Sequence, residues 1–253
     1  MSLLPTNKSK SELNLTTRTI GIFGAAGIGK STLASFFDSV IFGATEAGLS
    51  DLNVSKCIIP TYNNGLPIKS VDESTSIGSF IPFCSAMMTE KHDFKSICID
   101  TYDNLTRICT DWKAAELNVD DISEYKKFGA YHMVTDELHK TIKKLSDSKF
   151  GLIMISHVKY VERKTPTDKW EKAVPSVGGK NLDVMVDICD IILFMDIEMR
   201  GDKEIGVIKT KPSKYWLAKD KTKLLPEFIE YPLAEPEKAY DVIYQSFKNG
   251  GVS

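Results

Sequence analysis

The sequence predicts an α/β fold: a mostly parallel sheet flanked by helices, with antiparallel hairpin strands at its C-terminal edge. Three observations carry this. Short apolar runs recur at 18–24, 39–44, 95–100, 150–156 and 190–196, and they are continuous rather than alternating. That is the pattern of strands buried on both faces. Between several of them lie stretches with helical spacing, which is the strand–helix alternation of a parallel sheet. And Gly24-Ala25-Ala26-Gly27-Ile28-Gly29-Lys30-Ser31 fits G-x-x-x-x-G-K-[ST] between the first apolar run and the first helical one. Strand, glycine loop and helix, in that order, is the context that turns the motif into a phosphate-binding loop.

The elements follow in order. Strand 18–24 leads into the loop and helix 30–38 leaves it. Strand 39–44 comes next, then a short strand near 54–59. Helix 73–91 carries an apolar face of Ile77, Phe80, Ile81, Cys84, Met87 and Met88. Strand 95–100 precedes a long helical stretch over 103–147, broken near 118–122. Strand 150–156 is followed by a hairpin over 158–175, turning at Pro166-Thr167-Asp168. Helix 179–187 leads to strand 190–196, and two further strands fall near 204–210 and 214–219. Pro236 at a helix start and Gly250 past its end bracket a C-terminal helix. The expected organisation is a flexible polar tail over 1–14, one ATPase domain over 15–235, and a C-terminal helix and tail over 236–253.

Bulk properties set bounds. A chain of 253 residues buries enough surface to need no disulfide or metal staple. No apolar stretch approaches a membrane span, and Leu3-Leu4-Pro5 is too short for the core of a signal peptide. The five cysteines contain no C-x-x-C pair, so buried thiols in a reducing cytoplasm are expected rather than zinc ligands. Net charge is only −2, but 200–223 holds eight basic residues against three acidic ones. Such asymmetry marks either a polyanion-facing side or the solvated faces of hairpins.

In the loop, the glycines let backbone N–H groups approach phosphate oxygens, and the helix start adds unpaired donors. The nucleotide is expected on Gly24, Ala25, Ala26, Gly27, Ile28, Gly29, Lys30, Ser31 and Thr32. Lys30 supplies an ammonium to the β- and γ-phosphates, and Ser31 a hydroxyl to Mg²⁺. The cofactors expected are therefore ATP and Mg²⁺.

Ligand groups in parallel sheets gather at the C-terminal ends of strands. Strand 95–100 ends in Asp100, the carboxylate pattern that holds Mg²⁺. Residues 192–196 mimic it with Asp196, but Asp100 has the better spacing from Lys30, with Asp103 as a spare. Strand 39–44 ends at Thr45-Glu46, where a carboxylate would orient the attacking water or would be a surface glutamate in a turn. His157, after strand 150–156, would sense the γ-phosphate or simply cap the strand. Lys159, Tyr160, Arg163, Lys164, Lys169, Trp170 and Lys172 fit a loop that stacks bases and meets phosphates, and equally an amphipathic hairpin. Lys219 and Lys221 would reach a neighbour's nucleotide or form a solvated charge pair.

The ordered set resembles phage-encoded RecA-like P-loop nucleotide-binding proteins of the single-strand annealing and recombination type. It comprises the glycine loop, Thr45-Glu46-Ala47-Gly48, Ile99-Asp100-Thr101, Lys127-Phe128-Gly129-Ala130-Tyr131, Ile155-Ser156-His157, Gly179-Lys180 and Ala218-Lys219-Asp220-Lys221. The resemblance spans about 18–235. It implies a RecA-like ATPase core with Glu46 as base, His157 as γ-phosphate sensor and Lys219 and Lys221 acting across a subunit boundary. It implies ATP hydrolysis coupled to single-stranded DNA on 158–178, homo-oligomeric assembly as ring or filament, cooperation with a single-strand binding protein, and a place in the host cytoplasm. Two positions depart: Lys221 stands where relatives often have Arg, and Thr45 where they often have Asp. A lysine makes no bidentate phosphate contact, so slow hydrolysis is expected.

Two other readings stay open. One is an ATP-switched binding or assembly protein in which hydrolysis is incidental. The other is a small-molecule P-loop kinase, disfavoured because such enzymes clamp phosphates with arginines and this chain has only Arg18, Arg107, Arg163 and Arg200.

Overall fold

The structure, a computed structural model, describes residues 14–60, 62–63, 66–67, 76–77, 80–125 and 129–250. The expected N-terminal tail, apart from Asn14, lies outside them, as do Lys127 and Phe128.

The strands are β1 (Thr19–Gly24), β2 (Val40–Ala44), β3 (Ser55–Ile58), β4 (Tyr62–Asn63), β5 (Leu66–Pro67), β6 (Ser76–Ile77), β7 (Ser96–Asp100), β8 (Gly151–Lys164), β9 (Lys169–Pro175), β10 (Ile191–Arg200), β11 (Lys203–Lys209), β12 (Lys219–Asp220) and β13 (Phe228–Tyr231). The helices are α1 (Lys30–Ser35), α2 (Phe80–Thr89), α3 (Tyr102–Glu116), α4 (Ala130–Ser146), α5 (Gly179–Ile188) and α6 (Glu237–Lys248). The main sheet runs β13-β11-β10-β1-β8-β7-β2-β3-β6. From β10 to β6 every neighbouring pair is parallel; β11, β12 and β13 add antiparallel strands at the C-terminal edge. This is the architecture the apolar runs predict.

Continuous apolar strands need cover on both faces, and two hydrophobic clusters supply it. Ile20, Ile22, Ile153, Ile155, Leu193 and Met195 pack under α1 and α6. Phe23, Ile97, Ile99, Leu152, Met154, Ile192 and Phe194 pack under α2 to α5. Adjacent residues of one strand thus serve opposite clusters, as the period of two requires. The close fit shows at Gly21, where a Cβ would lie 2.7 Å from the Met185 methyl of α5. In the C-terminal part, α6 contributes Ala239, Ile243 and Phe247 to the first cluster.

Several elements differ from expectation for local reasons. Of the helix expected over 73–91, the structure shows Phe80–Thr89, while Ser76–Ile77 pairs with β3 instead and 73–75 and 78–79 lie outside the described residues. Pro82 lacks an N–H and suits a first helical turn. Helix α1 stops at Ser35 rather than 38, because β2 begins at Val40 and Ser39 must take a φ of 45° to reverse the chain. The strand expected over 214–219 reduces to Lys219–Asp220. Its first half turns aside to pair with β9, with Ala173 N–H donating to Tyr215 O at 2.8 Å. Strand β13 was not foreseen. It pairs with β11, and the Tyr231 ring lies over Gly206, where a Cβ would be 2.2 Å from a ring carbon.

Four of the eight basic residues in 200–223 are neutralised by acids of the same chain. Arg200 pairs with Glu198 and Glu230, Lys209 with Asp196 and Glu198, Lys211 with Asp220, and Lys214 with Asp168. Four of these five acids lie outside the stretch, so a sequence window overstates the charge.

Asp220 anchors this region. Its side chain is fully buried and accepts from Lys211 Nζ at 3.0 Å, Thr222 Oγ1 at 2.5 Å and the N–H groups of Thr222, Lys223 and Leu225. Burial alone would raise its pKa; the hydrogen bonds from Thr222, Lys211 and Leu225 outweigh it and hold the carboxyl below its usual value. A depressed carboxyl stabilises the fold above its unfolded pKa and loses that contribution as pH falls through the folded value. Asp220→Asn should therefore cost about 3 kcal/mol at pH 7, and thermal melts across pH should show the gap narrowing below about pH 4. A gap independent of pH would rule out the carboxylate as the anchor.

Candidate active site

Strand register brings the candidate residues to one end of the sheet. Gly24 lies level with His157, and Ala44 level with Asp100. Strand β8 stands between β1 and β7, so the glycine loop and Asp100 approach each other across its end.

The loop is shaped by its glycines at two kinds of position. Gly27 and Gly29 take φ of 77° and 91°, which side chains disfavour. Gly24 is needed for space, since a Cβ there would lie 2.6 Å from Met195 O. Among the described residues no acceptor meets the N–H groups of Gly27, Gly29, Lys30 or Ser31, leaving them for an anion. Lys30 is buried at 6% exposure and folds into the same hollow, donating to Gly24 O at 3.2 Å and Ala25 O at 2.7 Å. Burial lowers its pKa, against the carboxylates of Asp100, Asp103 and Glu46, which raise it.

Ser31 donates to Asp100 Oδ2 at 2.6 Å. Burial raises the Asp100 pKa, and the Ser31 hydrogen bond pulls the other way. A hydroxyl and a carboxylate meeting beside a phosphate nest are the hard oxygen donors that Mg²⁺ takes, with phosphates and water completing its shell. The set therefore fits the metal: Ser31 and Asp100 would hold it, and when bound it neutralises charge on the phosphates. The mimic, Asp196, is instead paired with Lys209 at 2.8 Å.

Glu46 lies in an exposed turn, yet its Oε1 accepts from Thr101 Oγ1 at 2.8 Å. Thr45 and Thr101 grip each other: Thr45 Oγ1 donates to Thr101 O at 3.1 Å and accepts from Thr101 N–H at 2.8 Å. Asn104 Nδ2 donates to Thr45 O at 2.6 Å. The spare carboxylate, Asp103, proves to serve the histidine: its Oδ2 meets His157 Nδ1 at 2.9 Å and its Oδ1 accepts from His157 N–H at 3.4 Å. Among the described residues His157 Nε2 has no hydrogen-bond partner.

Thus Lys30, Ser31, Glu46, Asp100 and His157 come together. Lys219 and Lys221 do not join them. Lys219 donates to Val186 O and Lys221 to Asp187 O at 3.3 Å, both at the C-terminus of α5. Lys219 lies level with Ile192 and hence with Gly21, two strands across from β1 and about 10 Å below the start of the loop. These ammonium groups cannot reach the loop of their own chain. Thr101, Asp103 and Asn104 are the residues that sequence reasoning left without these roles; the one signal was their position just past Asp100.

A family model described as AAA domain matches residues 16–222. The chain belongs to this AAA domain family, AAA_24. It is a P-loop NTPase, the class in which nucleotide and Mg²⁺ share one site. No curated protein sequence matches it. Among solved structures it is similar to flagellar accessory protein FlaH from Methanocaldococcus jannaschii, at 14% identity and a TM-score of 0.43 over 86% of this chain and 85% of that one. In this AAA-domain protein no helix of the described residues is long and apolar enough to cross a membrane.

Lys30→Ala removes a charged donor from the nest and should weaken nucleotide binding by about 1.5–3 kcal/mol, measured by titration calorimetry. Unchanged affinity would overturn the assignment of the loop.

Proposed function

We propose that the chain is an ATP-binding and hydrolysing RecA-like protein acting on single-stranded DNA in phage-type recombination or strand annealing. The observation that carries this reading is the continuity of β8. One strand runs from the sheet, past His157, into the first arm of the hairpin it forms with β9. The nucleotide end and the hairpin are one element.

The register divides the seven hairpin candidates between two faces. Lys159, Arg163, Trp170 and Lys172 share one, with Val161 and Val174 and no acid. Tyr160, Lys164 and Lys169 share the other with Glu162 and Glu171, and Glu162 pairs with both lysines, at 2.8 and 2.5 Å. An uncompensated basic face with an indole suits a phosphate backbone and its bases. Within that face Lys159 is partly engaged, donating to Val177 O at 2.9 Å, and Trp170 Nε1 donates to Lys214 O at 2.8 Å.

In this reading Lys30 and the loop amides bind the phosphates, Glu46 orients water and accepts its proton, and His157 meets the γ-phosphate. Lys219 and Lys221 complete the site of a neighbouring copy, so hydrolysis depends on homo-oligomeric assembly; their distance from their own loop supports this. A single-strand binding protein is the expected companion on DNA, and ATP and Mg²⁺ the cofactors. The kinase alternative finds little support: Arg107 is engaged with Asn104 and Asp111, and Arg200 with Glu198 and Glu230.

Steady-state ATP hydrolysis with and without single-stranded DNA, at two protein concentrations, tests the proposal. Stimulation by DNA that rises faster than linearly with protein is expected. Replacing Arg163 and Lys172 together with alanine should abolish most of that stimulation, while the Lys164 and Lys169 pair should matter little. A DNA-indifferent, strictly linear rate would remove the reading. Intact DNA annealing by Glu46→Gln would favour the ATP-switched binding protein instead.

A further inference from the structure

We infer that Thr101 is the positioning residue for Glu46, and that the Thr45–Thr101–Asn104 hydrogen bonds exist to hold that hydroxyl in place. The inference rests on the reading of Glu46 as the base. Glu46 projects from an exposed turn in which Ala47 and Gly48 are exposed as well. A glutamate there has many rotamers, and only those aimed at the γ-phosphate orient water usefully. Thr101 is the opposite kind of residue, 3% exposed and β-branched, with few choices at χ1. A buried hydroxyl with few rotamers thus donates to an exposed carboxylate.

The surroundings of Thr101 support a dedicated role. Its backbone is gripped on both sides by the Thr45 hydroxyl. The Thr45 backbone is in turn fixed twice, by its N–H donating to Asp100 O at 2.8 Å and its carbonyl accepting from Asn104. The residue before Glu46 is therefore tied to the residue that holds Glu46. Thr101 also caps α3, but that bond, from Asn104 N–H to Thr101 Oγ1, is long at 3.4 Å, against 2.8 Å for the one to Glu46. The hydroxyl can serve both, because it accepts one bond and donates the other. Asp100 and Thr101 so divide the site between them: one side chain meets Ser31, the next meets Glu46.

Thr101→Val removes the hydroxyl and Thr101→Ser keeps it. Thr101→Val should lower kcat by about 10- to 100-fold with the Kd for ATP unchanged, and Thr101→Ser should restore most of the rate. A double-mutant cycle with Glu46→Gln separates the two claims. If Glu46→Gln keeps a measurable residual rate and Thr101→Val lowers that rate no further, the two act as one unit. If Glu46→Gln leaves kcat unchanged, the assignment of the base fails. If Glu46→Gln abolishes turnover but Thr101→Val matches wild type or exceeds it, Glu46 is the base and Thr101 does not position it. Should Thr101→Val fold poorly, Thr101→Ala carries the same cycle. Equal losses in Thr101→Val and Thr101→Ser, tracking Tm, would reduce the residue to a helix cap.

Discussion

The parallel ladder of β2, β7, β8 and β1 is the constraint on which the site depends. Parallel strands leave the sheet in the same direction, so four chain segments distant in sequence reach one edge together. Every candidate group of the nucleotide site stands within a few residues of such an end: Lys30 and Ser31 after β1, Glu46 after β2, Asp100 at the end of β7, His157 within β8 as it leaves the sheet. A slip of one register step would turn each set of side chains to the wrong cluster. The two hydrophobic clusters, drawing on alternate residues of each strand, make that slip costly.

Charge in the site is balanced at short range. Lys30 lies within the field of three carboxylates, while burial opposes its charge and that of Asp100. The ammonium donates to the carbonyls of Gly24 and Ala25, and Asp100 accepts from Ser31. Each buried charge in the site therefore has a hydrogen-bond partner within the chain.

Much of the fold was legible in the sequence because apolar runs and turn chemistry are local properties. The strands, the glycine loop and Asp100 are each visible within a short window. The edges failed where a single residue overrode a pattern, as Ser39 did for α1, or where pairing was with a distant partner, as Tyr215 with Ala173. The same division holds in the site. Gly24 to Ser31 carry their chemistry in their spacing. Thr101, Asp103 and Asn104 acquire theirs only when β7 lies beside β2 and β8, which no window of sequence contains. Likewise the basic stretch 200–223 looked freer than it is because four of the acids that pair with it lie elsewhere: Asp168, Asp196, Glu198 and Glu230.

Strand β8 has a mechanical consequence. Its seven residues beyond His157 form an arm of roughly 23 Å, anchored at its base in the middle of the sheet and braced along one side by β9. By geometry alone, a tilt of about 5° at the base of such an arm carries its tip through about 2 Å over that length. The tip is tied to the neighbouring segment, Trp170 Nε1 donating to Lys214 O and Asp168 pairing with Lys214, so the two would travel together.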